Sequence, residues 1–424
     1  MLMTITPWFF VVLFLILGLW VVFELHFLRL GLKRLLPDRR SRPRIVKTIL
    51  IVLASWMGFC TLVLITWAIY RGNRQWDFFY TLVMPTYGIL HAVLTVFAGF
   101  VLLQLALEKL RSALAGLSSA KKTDQTAAAD NGRRDFLVKT GALLSLAPVG
   151  AGGYSVLVGR DDFQLREVTI RSRRLPEAFD GFRIVQFSDV HIGSFQNLDE
   201  VQKGVSLIQS AEPDLLVFTG DWVNTQPREM AGFEQLFSDF QAPYGKYACL
   251  GNHDYGIYLP VLSPVDSETN FRNIKALIAR MGYELLQNAN TRIRKDGAEI
   301  ALLGVDYYGH KGIYPPDLDL AAEGLAQDTF KVLLSHNPAH WRAEALAHPA
   351  NIDLTLAGHT HGMQFGIDTK TLRWSPVQAL YSEWADLYRE REQYLYVNRG
   401  FGYVFFPGRF GVLPEITVLT LRRG

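Results

Sequence analysis

Seven side chains able to bind metal through oxygen or nitrogen sit in short segments after apolar runs: Asp189, His191, Asp221, Asn252, His336, His359 and His361. The segments are Asp189-Val190-His191, Gly220-Asp221, Gly251-Asn252-His253-Asp254, Ser335-His336-Asn337 and Gly358-His359-Thr360-His361, with no cysteine among them. Structural zinc sites favour thiolates in a closed tetrahedron, whereas a mixed carboxylate, amide and imidazole set suits a pair of hard-to-borderline divalent ions. The chemistry such a set points to is metal-assisted hydrolysis.

Elements must bring these residues together. Apolar runs at 183–188, 214–219, 246–250, 300–304, 331–335 and 352–357 are short, rich in β-branched residues and bounded by Gly, Pro or Asp, which predicts strands. Stretches 199–211, 228–240 and 270–281 have helical spacing. Strands alternating with helices predict a layered α/β fold with parallel segments. Each candidate ligand follows the carboxyl end of a predicted strand, the edge at which open α/β sheets place ligands.

The five segments, in this order, resemble the calcineurin-like metallophosphoesterase superfamily over residues 182 to the C-terminus. The resemblance implies an αββα sandwich binding two divalent metal ions, drawn from Mn, Fe, Zn or Co. Asp189, His191 and His361 would hold one ion, Asn252, His336 and His359 the other, and Asp221 would bridge them. A hydroxide shared by the ions would attack a phosphomonoester, phosphodiester or pyrophosphate, lipid-linked esters included. His253 would stabilise the transition state or protonate the leaving oxygen, with Asp254 orienting its ring. Val397-Asn398-Arg399-Gly400-Phe401-Gly402 and the glycines near His361 are similar to a membrane-associated, exported YkuE-like branch. Met363 departs from that branch, which commonly has glycine there, and this weakens any substrate inference drawn from it. The rival reading, from another class, is a catalytically silent metal-binding envelope or cell-wall interaction module.

The front of the chain accounts for the 49% hydrophobic composition. Residues 8–28, 45–70 and 78–107 are each long enough to cross a bilayer, and 136–158, diluted by glycines and Pro148, is either a fourth span or an export signal. The N-terminal region 1–111 is thus expected to be a bundle of three or four transmembrane helices. Between the first two spans eight basic residues face one acid, Asp38, so that loop is expected in the cytoplasm. Residues 112–135 read as a cytoplasmic linker ending in Arg133-Arg134-Asp135-Phe136-Leu137, which resembles a twin-arginine signal and implies the corresponding export machinery as a partner. Residues 160–424 would then be an extracytoplasmic catalytic domain on a multi-pass protein of the inner membrane. A cytoplasmic catalytic domain would require one fewer span.

The net charge of +3 arises beside the membrane segments and not along a groove, so no nucleic-acid partner is expected. Cys60 and Cys249 fall in different regions and are not expected to pair. His91 lies within a span, where hydrogen bonding to a neighbouring helix is expected, and Glu24 and His26 are expected among headgroups. His310, His340 and His348 read as surface or loop residues. Aromatics crowd the region after His361, including Phe365, Trp374, Tyr381, Trp384, Phe401 and Phe405. They could form an apolar lip or a second core.

Overall fold

The computed structural model describes residues 7–36, 42–70, 74–116, 135–258, 266–309, 314–369 and 371–424. The chain divides into two compact units, one of Leu2–Thr66 with Leu82–Tyr154, the other of Trp67–Thr81 with Ser155–Gly424.

Apolar sequence gives long helices, Pro7–Leu35, Arg42–Tyr70 and Arg74–Gly116, followed by helical segments 135–144 and Ala147–Leu157, which belong to the first unit except for residues 67–70, 74–81 and 155–157. Among the described residues Pro43–Trp67, Val83–Leu110 and Asp135–Asp161 are long and apolar enough to cross a membrane. The expected span 8–28 falls within Pro7–Leu35, whose side chains before Ile16 lie outside the described residues. The third helix runs to Gly116, into the stretch read as linker, while Arg133 and Arg134 lie outside the described residues. Leu28, Met57, Cys60, Val83, Leu94 and Phe97 pack inward. Leu19, Val52 and Leu62 point out, as expected of helices solvated by lipid.

Glu24 corrects the headgroup expectation, because it is wholly buried. Its carboxylate accepts hydrogen bonds from Trp20 Nε1 (2.9 Å) and Thr95 Oγ1 (2.9 Å) and lies 2.6 Å from His91 Nδ1. A carboxylate among apolar helices must find such partners, and His91 is bonded to a neighbouring helix as expected.

The second unit holds two six-stranded sheets. The first runs β1 (Gln164–Ser172), β14 (Glu415–Arg423), β2 (Arg183–Phe187), β3 (Leu215–Phe218), β4 (Lys246–Ala248) and β5 (Glu284–Leu285). Strands β2 to β5 are parallel, and β14 is antiparallel to β2. The second runs β12 (Asp386–Glu390), β13 (Gln393–Val397), β9 (Leu354–Ala357), β8 (Lys331–Leu334), β7 (Ala298–Gly304) and β6 (Ala289–Lys295), with β7, β8, β9 and β13 parallel. Strands β10 (Ile367–Asp368) and β11 (Arg373–Trp374) form a separate hairpin.

Alternation along each strand sends side chains to two layers. Ile184, Val217, Leu302, Val332, Leu354 and Leu419 fill the space between the sheets. Val185, Phe187, Leu216 and Phe218 meet Val201, Val205 and Ile208 of helix Leu198–Ser210 and Ile274 and Leu277 of helix Ser267–Arg280. On the other side Leu303, Leu333 and Leu395 meet Leu318 and Trp341. The result is the αββα sandwich. Asn197 and Asp266 start the two longer helices by accepting from Glu200 N and Thr269 N. The expected helix 228–240 is instead two short turns, Pro227–Met230 and Glu234–Ser238, separated at Gly232, whose φ of 89° no helix accommodates.

Candidate metal centre

The five segments meet at the carboxyl ends of strands from both sheets. Asp189 and His191 follow β2, Asp221 follows β3, Asn252 and His253 follow β4, His336 follows β8, and His359 and His361 follow β9. The chain turns sharply at the exits of β2, β3 and β9: Asp189 (φ 54°), His191 (45°), Asp221 (66°), His359 (73°) and His361 (50°) all occupy the left-handed region. That conformation is costly for non-glycine residues and persists where surrounding structure enforces it. Gly220 shows why a side chain is absent beside Asp221. Its φ is +98°, and a Cβ there would lie 2.5 Å from the Gly251 amide nitrogen.

Six of the seven expected ligands converge, and the seventh, Asn252, is buried on the loop after β4. Asp189, His191 and His361 form one group and Asp221, His336 and His359 another, with donor atoms within 4.8 Å in each; His191, Asp221 and His253 make a third. Asp221 Oδ2 lies 3.2 Å from His336 Nε2 and 3.5 Å from His191 Nε2, and Asp189 Oδ1 lies 3.2 Å from His361 Nε2. Both carboxylates are buried.

The backbone locks this cluster. His359 N donates to both Asp189 oxygens (3.1 and 3.0 Å), and His253 N donates to Asp221 Oδ1 (2.8 Å). Asp254 does not orient His253, in contrast to the expectation. Its Oδ2 accepts from Asp221 N (2.8 Å) and Gly251 N (3.0 Å), and its Oδ1 from Trp222 N (2.9 Å). A carboxylate on three amides stitches the β3 and β4 loops together, and its hydrogen bonds go to the backbone and not to the imidazole. The His253 ring is held instead by the Asn224 carbonyl, 2.8 Å from Nδ1.

Asn224 is a residue that sequence reading missed. Its backbone serves His253, and its Oδ1 lies 3.0 Å from His191 Nδ1. Glu229 accepts the Asn224 amide (2.6 Å) and so holds the loop. The only sequence signal was a polar side chain three residues beyond Asp221. Arg409, also missed, is fully buried and packs Nη2 3.1 Å from His361 Nδ1. His340, expected at the surface, is buried and lies 2.9 Å from Ser335 Oγ, bracing the turn before His336. His348 lies 3.1 Å from Asp319, and His310 lies outside the described residues.

The electrostatics call for cations. Burial alone raises the Asp189 carboxyl, but His361 and His336 outweigh it and hold the group well below the usual carboxylate range. Asp221 behaves alike under His336 and His253. Burial pulls His336 down, yet Asp221 and Asp189 push it up to about 9. His359, with a weaker claim on those charges, is lowered by burial and His336 to about 3.

The donor set fits metal ions on a geometric test. Nε2 of His191, His336 and His361 and Oδ1 of Asn252 are buried without a hydrogen-bond partner among the described residues. Buried polar atoms are ordinarily satisfied. Four such atoms, three of them on imidazoles clustered with two carboxylates, make a donor set that fits divalent cations.

The aromatic region divides between the two expectations. Trp384, Phe401 and Tyr403 are core, whereas Phe365, Trp374 and Phe405 are exposed.

Residues 182–363 match the family model described as calcineurin-like phosphoesterase. The chain is 32% identical over 297 residues to "Uncharacterized metallophosphoesterase YkuE" of Bacillus subtilis, covering 68% of this chain and 97% of that protein. It is 28% identical over 320 residues to "Transmembrane protein with metallophosphoesterase domain" of Danio rerio, covering 72% of this chain and 67% of that one. The corresponding Bos taurus protein is 30% identical over 271 residues, covering 60% and 56%. Motifs, fold and relatives agree: the chain belongs to the calcineurin-like phosphoesterase family.

Proposed function

We propose that the chain is a membrane-anchored, dinuclear-metal phosphoesterase hydrolysing phosphomonoesters, phosphodiesters or pyrophosphates, lipid-linked ones included. Asp189, His191 and His361 would hold one divalent ion, Asn252, His336 and His359 the other, and Asp221 would serve both. The observation that carries this reading is the set of orphaned buried donors on His191, His336, His361 and Asn252 around two carboxylates. His359 Nε2 lies 2.8 Å from Tyr381 Oη. When bound, such ions supply activation of water near neutral pH and neutralisation of phosphoryl charge.

The chain's own residues do the rest. His253, with Nδ1 fixed on the Asn224 carbonyl, presents its other nitrogen for proton transfer, and burial lowers its pKa, so a proton carried there is easily given to a leaving oxygen. Asp254 is a positioning residue that keeps Asp221 and Asn252 on adjacent loops. One observation favours a second assignment: His191, Asp221 and His253 also cluster within ligand distance, which would make His253 a ligand.

The domain 160–424 lies on the extracytoplasmic side of the inner membrane, delivered by twin-arginine export. This rests on the basic loop after the first span and on Arg133-Arg134. Arg133→Lys with Arg134→Lys keeps charge and should leave the domain protease-inaccessible in spheroplasts. Unchanged accessibility would reject that route.

The enzyme reading is tested on the full-length protein in lipid nanodiscs with Mn, Fe, Zn or Co against mono- and diesters, pyrophosphates and lipid extracts. Turnover should vanish on chelation, and Asp221→Asn should abolish it and lower the metal count. Stoichiometric metal without turnover of any ester would favour the silent interaction module.

A further inference from the structure

The β10–β11 hairpin has inverted polarity for a protein in water. Ile367 pairs with Trp374, and Asp368 with Arg373, in an antiparallel ladder. Directly opposed residues share a face and successive residues alternate, so Ile367 and Trp374 lie on one side and Asp368 and Arg373 on the other. On the charged side Asp368 is turned inward, while Arg373 stays exposed. The Asp368 carboxylate, 4% exposed, lies 2.6 Å from Arg166 and 3.1 Å from the fully buried Arg399. The apolar side is bare: Phe365, Ile367, Leu372 and Trp374 are 42–53% exposed, and the Phe365 and Trp374 rings lie 6.5 Å apart. Antiparallel strands with one face in water place the polar residues outward, and contiguous exposed apolar residues mark a contact surface.

Its occupant follows from what the hairpin is tied to. The Gln364 side-chain amide donates to the Phe406 (2.7 Å) and Gly408 (3.0 Å) carbonyls, and Phe410 N donates to Gln364 O (2.8 Å). That loop is anchored in turn within the same unit, where Arg409 N donates to the Ser155 carbonyl (3.1 Å). Ser155 lies near the end of the apolar segment Asp135–Asp161, which is long enough to cross a membrane. An apolar, Trp-bearing face tied to a membrane segment matches the chemistry of the bilayer interface.

We propose that the Phe365–Trp374 hairpin inserts this face into the interfacial layer of the lipid bilayer, and that it thereby holds the metal centre, whose His361 is four residues upstream of Phe365, against phosphate esters carried on membrane lipids. The substrate part rests on the phosphoesterase reading; the insertion does not. The test uses the full-length protein with Leu372→Cys, labelled with an environment-sensitive fluorophore and reconstituted in phosphatidylcholine–phosphatidylglycerol vesicles. Cys60 and Cys249 are fully buried, and Leu320→Cys, at a half-exposed site on the helix Leu318–Ala321, is the control. Insertion predicts blue-shifted emission and loss of intensity with doxyl-labelled lipid at position 372 and neither at position 320. Equal quenching at both positions, or none at 372, overturns the proposal. A blue shift that grows with protein density without lipid quenching assigns the face to a second copy and also overturns it.

Leu372→Glu with Trp374→Glu should raise KM for a phosphatidyl ester in vesicles about tenfold while leaving kcat/KM for a soluble ester unchanged. Equal loss on both esters overturns the lipid-presenting role. Quenching at 372 with no turnover of any phosphate ester would instead retain insertion and remove the phosphoesterase reading.

Discussion

Asn224→Ala tests whether the centre depends on a residue that touches no metal. His191 can ligate through Nε2 only if its ring proton sits on Nδ1, and Asn224 Oδ1, 3.0 Å away, is the acceptor for that proton. In the metal-free protein the variant loses, beside the His191 contact, the hydrogen bond from Asn224 Nδ2 to Ser194 Oγ (3.1 Å), while Ser194 keeps its bond to the Tyr403 carbonyl. The ring can shift its proton to Nε2, where Asp221 Oδ2 lies 3.5 Å away. With metal bound that escape closes, and a buried N–H is left without an acceptor, a cost of about 1–3 kcal/mol. Because the cost falls on the loaded state alone, it appears as a loss of metal affinity of about 5- to 150-fold, overlapping the ~10- to 100-fold typical of such supporting residues. Chelator competition on the full-length protein measures it. Thermal stability of the metal-free form should change by less than about 1 kcal/mol, and turnover at saturating metal by only a few-fold. Asn224→Asp, which keeps an acceptor, should recover most of the affinity. Unchanged affinity in the alanine variant, or equal loss of metal-free stability, would refute the tautomer argument.

His253→Asn should retain both metals yet cut turnover about 10²- to 10⁴-fold on esters with poor leaving groups, and much less on nitrophenyl esters, which depart without a proton. Metal loss measured by elemental analysis would instead make His253 a ligand. Arg399→Met should destabilise the domain by about 3–5 kcal/mol in thermal unfolding, because it removes the buried cation shared by Glu415 and Asp368 and leaves Arg166 alone to serve both, and adding Glu415→Gln should restore part of the loss. A single-variant effect below about 1 kcal/mol would show the pair to be dispensable. Met363 sits at φ 50°, a conformation costing a side chain about 1–2 kcal/mol. Met363→Gly should therefore be neutral or stabilising by up to about 1 kcal/mol. A clear fall in melting temperature would mean that the half-exposed thioether makes contacts worth more than the strain.

The donor chemistry of this protein was legible in its sequence because it is local. Asp, Asn and His at the ends of short apolar runs identify both the strands and the groups they deliver, and long apolar stretches declare helices for a bilayer whatever surrounds them. Helices Leu198–Ser210 and Ser267–Arg280 were readable for the same reason. Strands β1, β6 and β12, at sheet edges, carry mixed polar residues and gave no such run. Direction and partnership belong to the tertiary structure. Glu24 reads as a headgroup residue until His91, 67 positions away, closes on it. Asp254 reads as a partner for His253 until backbone amides of Asp221 and Trp222, 33 and 32 positions away, occupy it. The hairpin Ile367–Trp374 is an ordinary mixed segment until Arg166 and Arg399 draw its acid inward and turn its apolar face out. The centre itself exists only because apolar side chains between the two sheets hold the ends of β2, β3 and β4 against those of β8 and β9. Residue type sets which atoms can bind, but their meeting point is fixed by the burial of side chains far from them in sequence, and no local pattern encodes that.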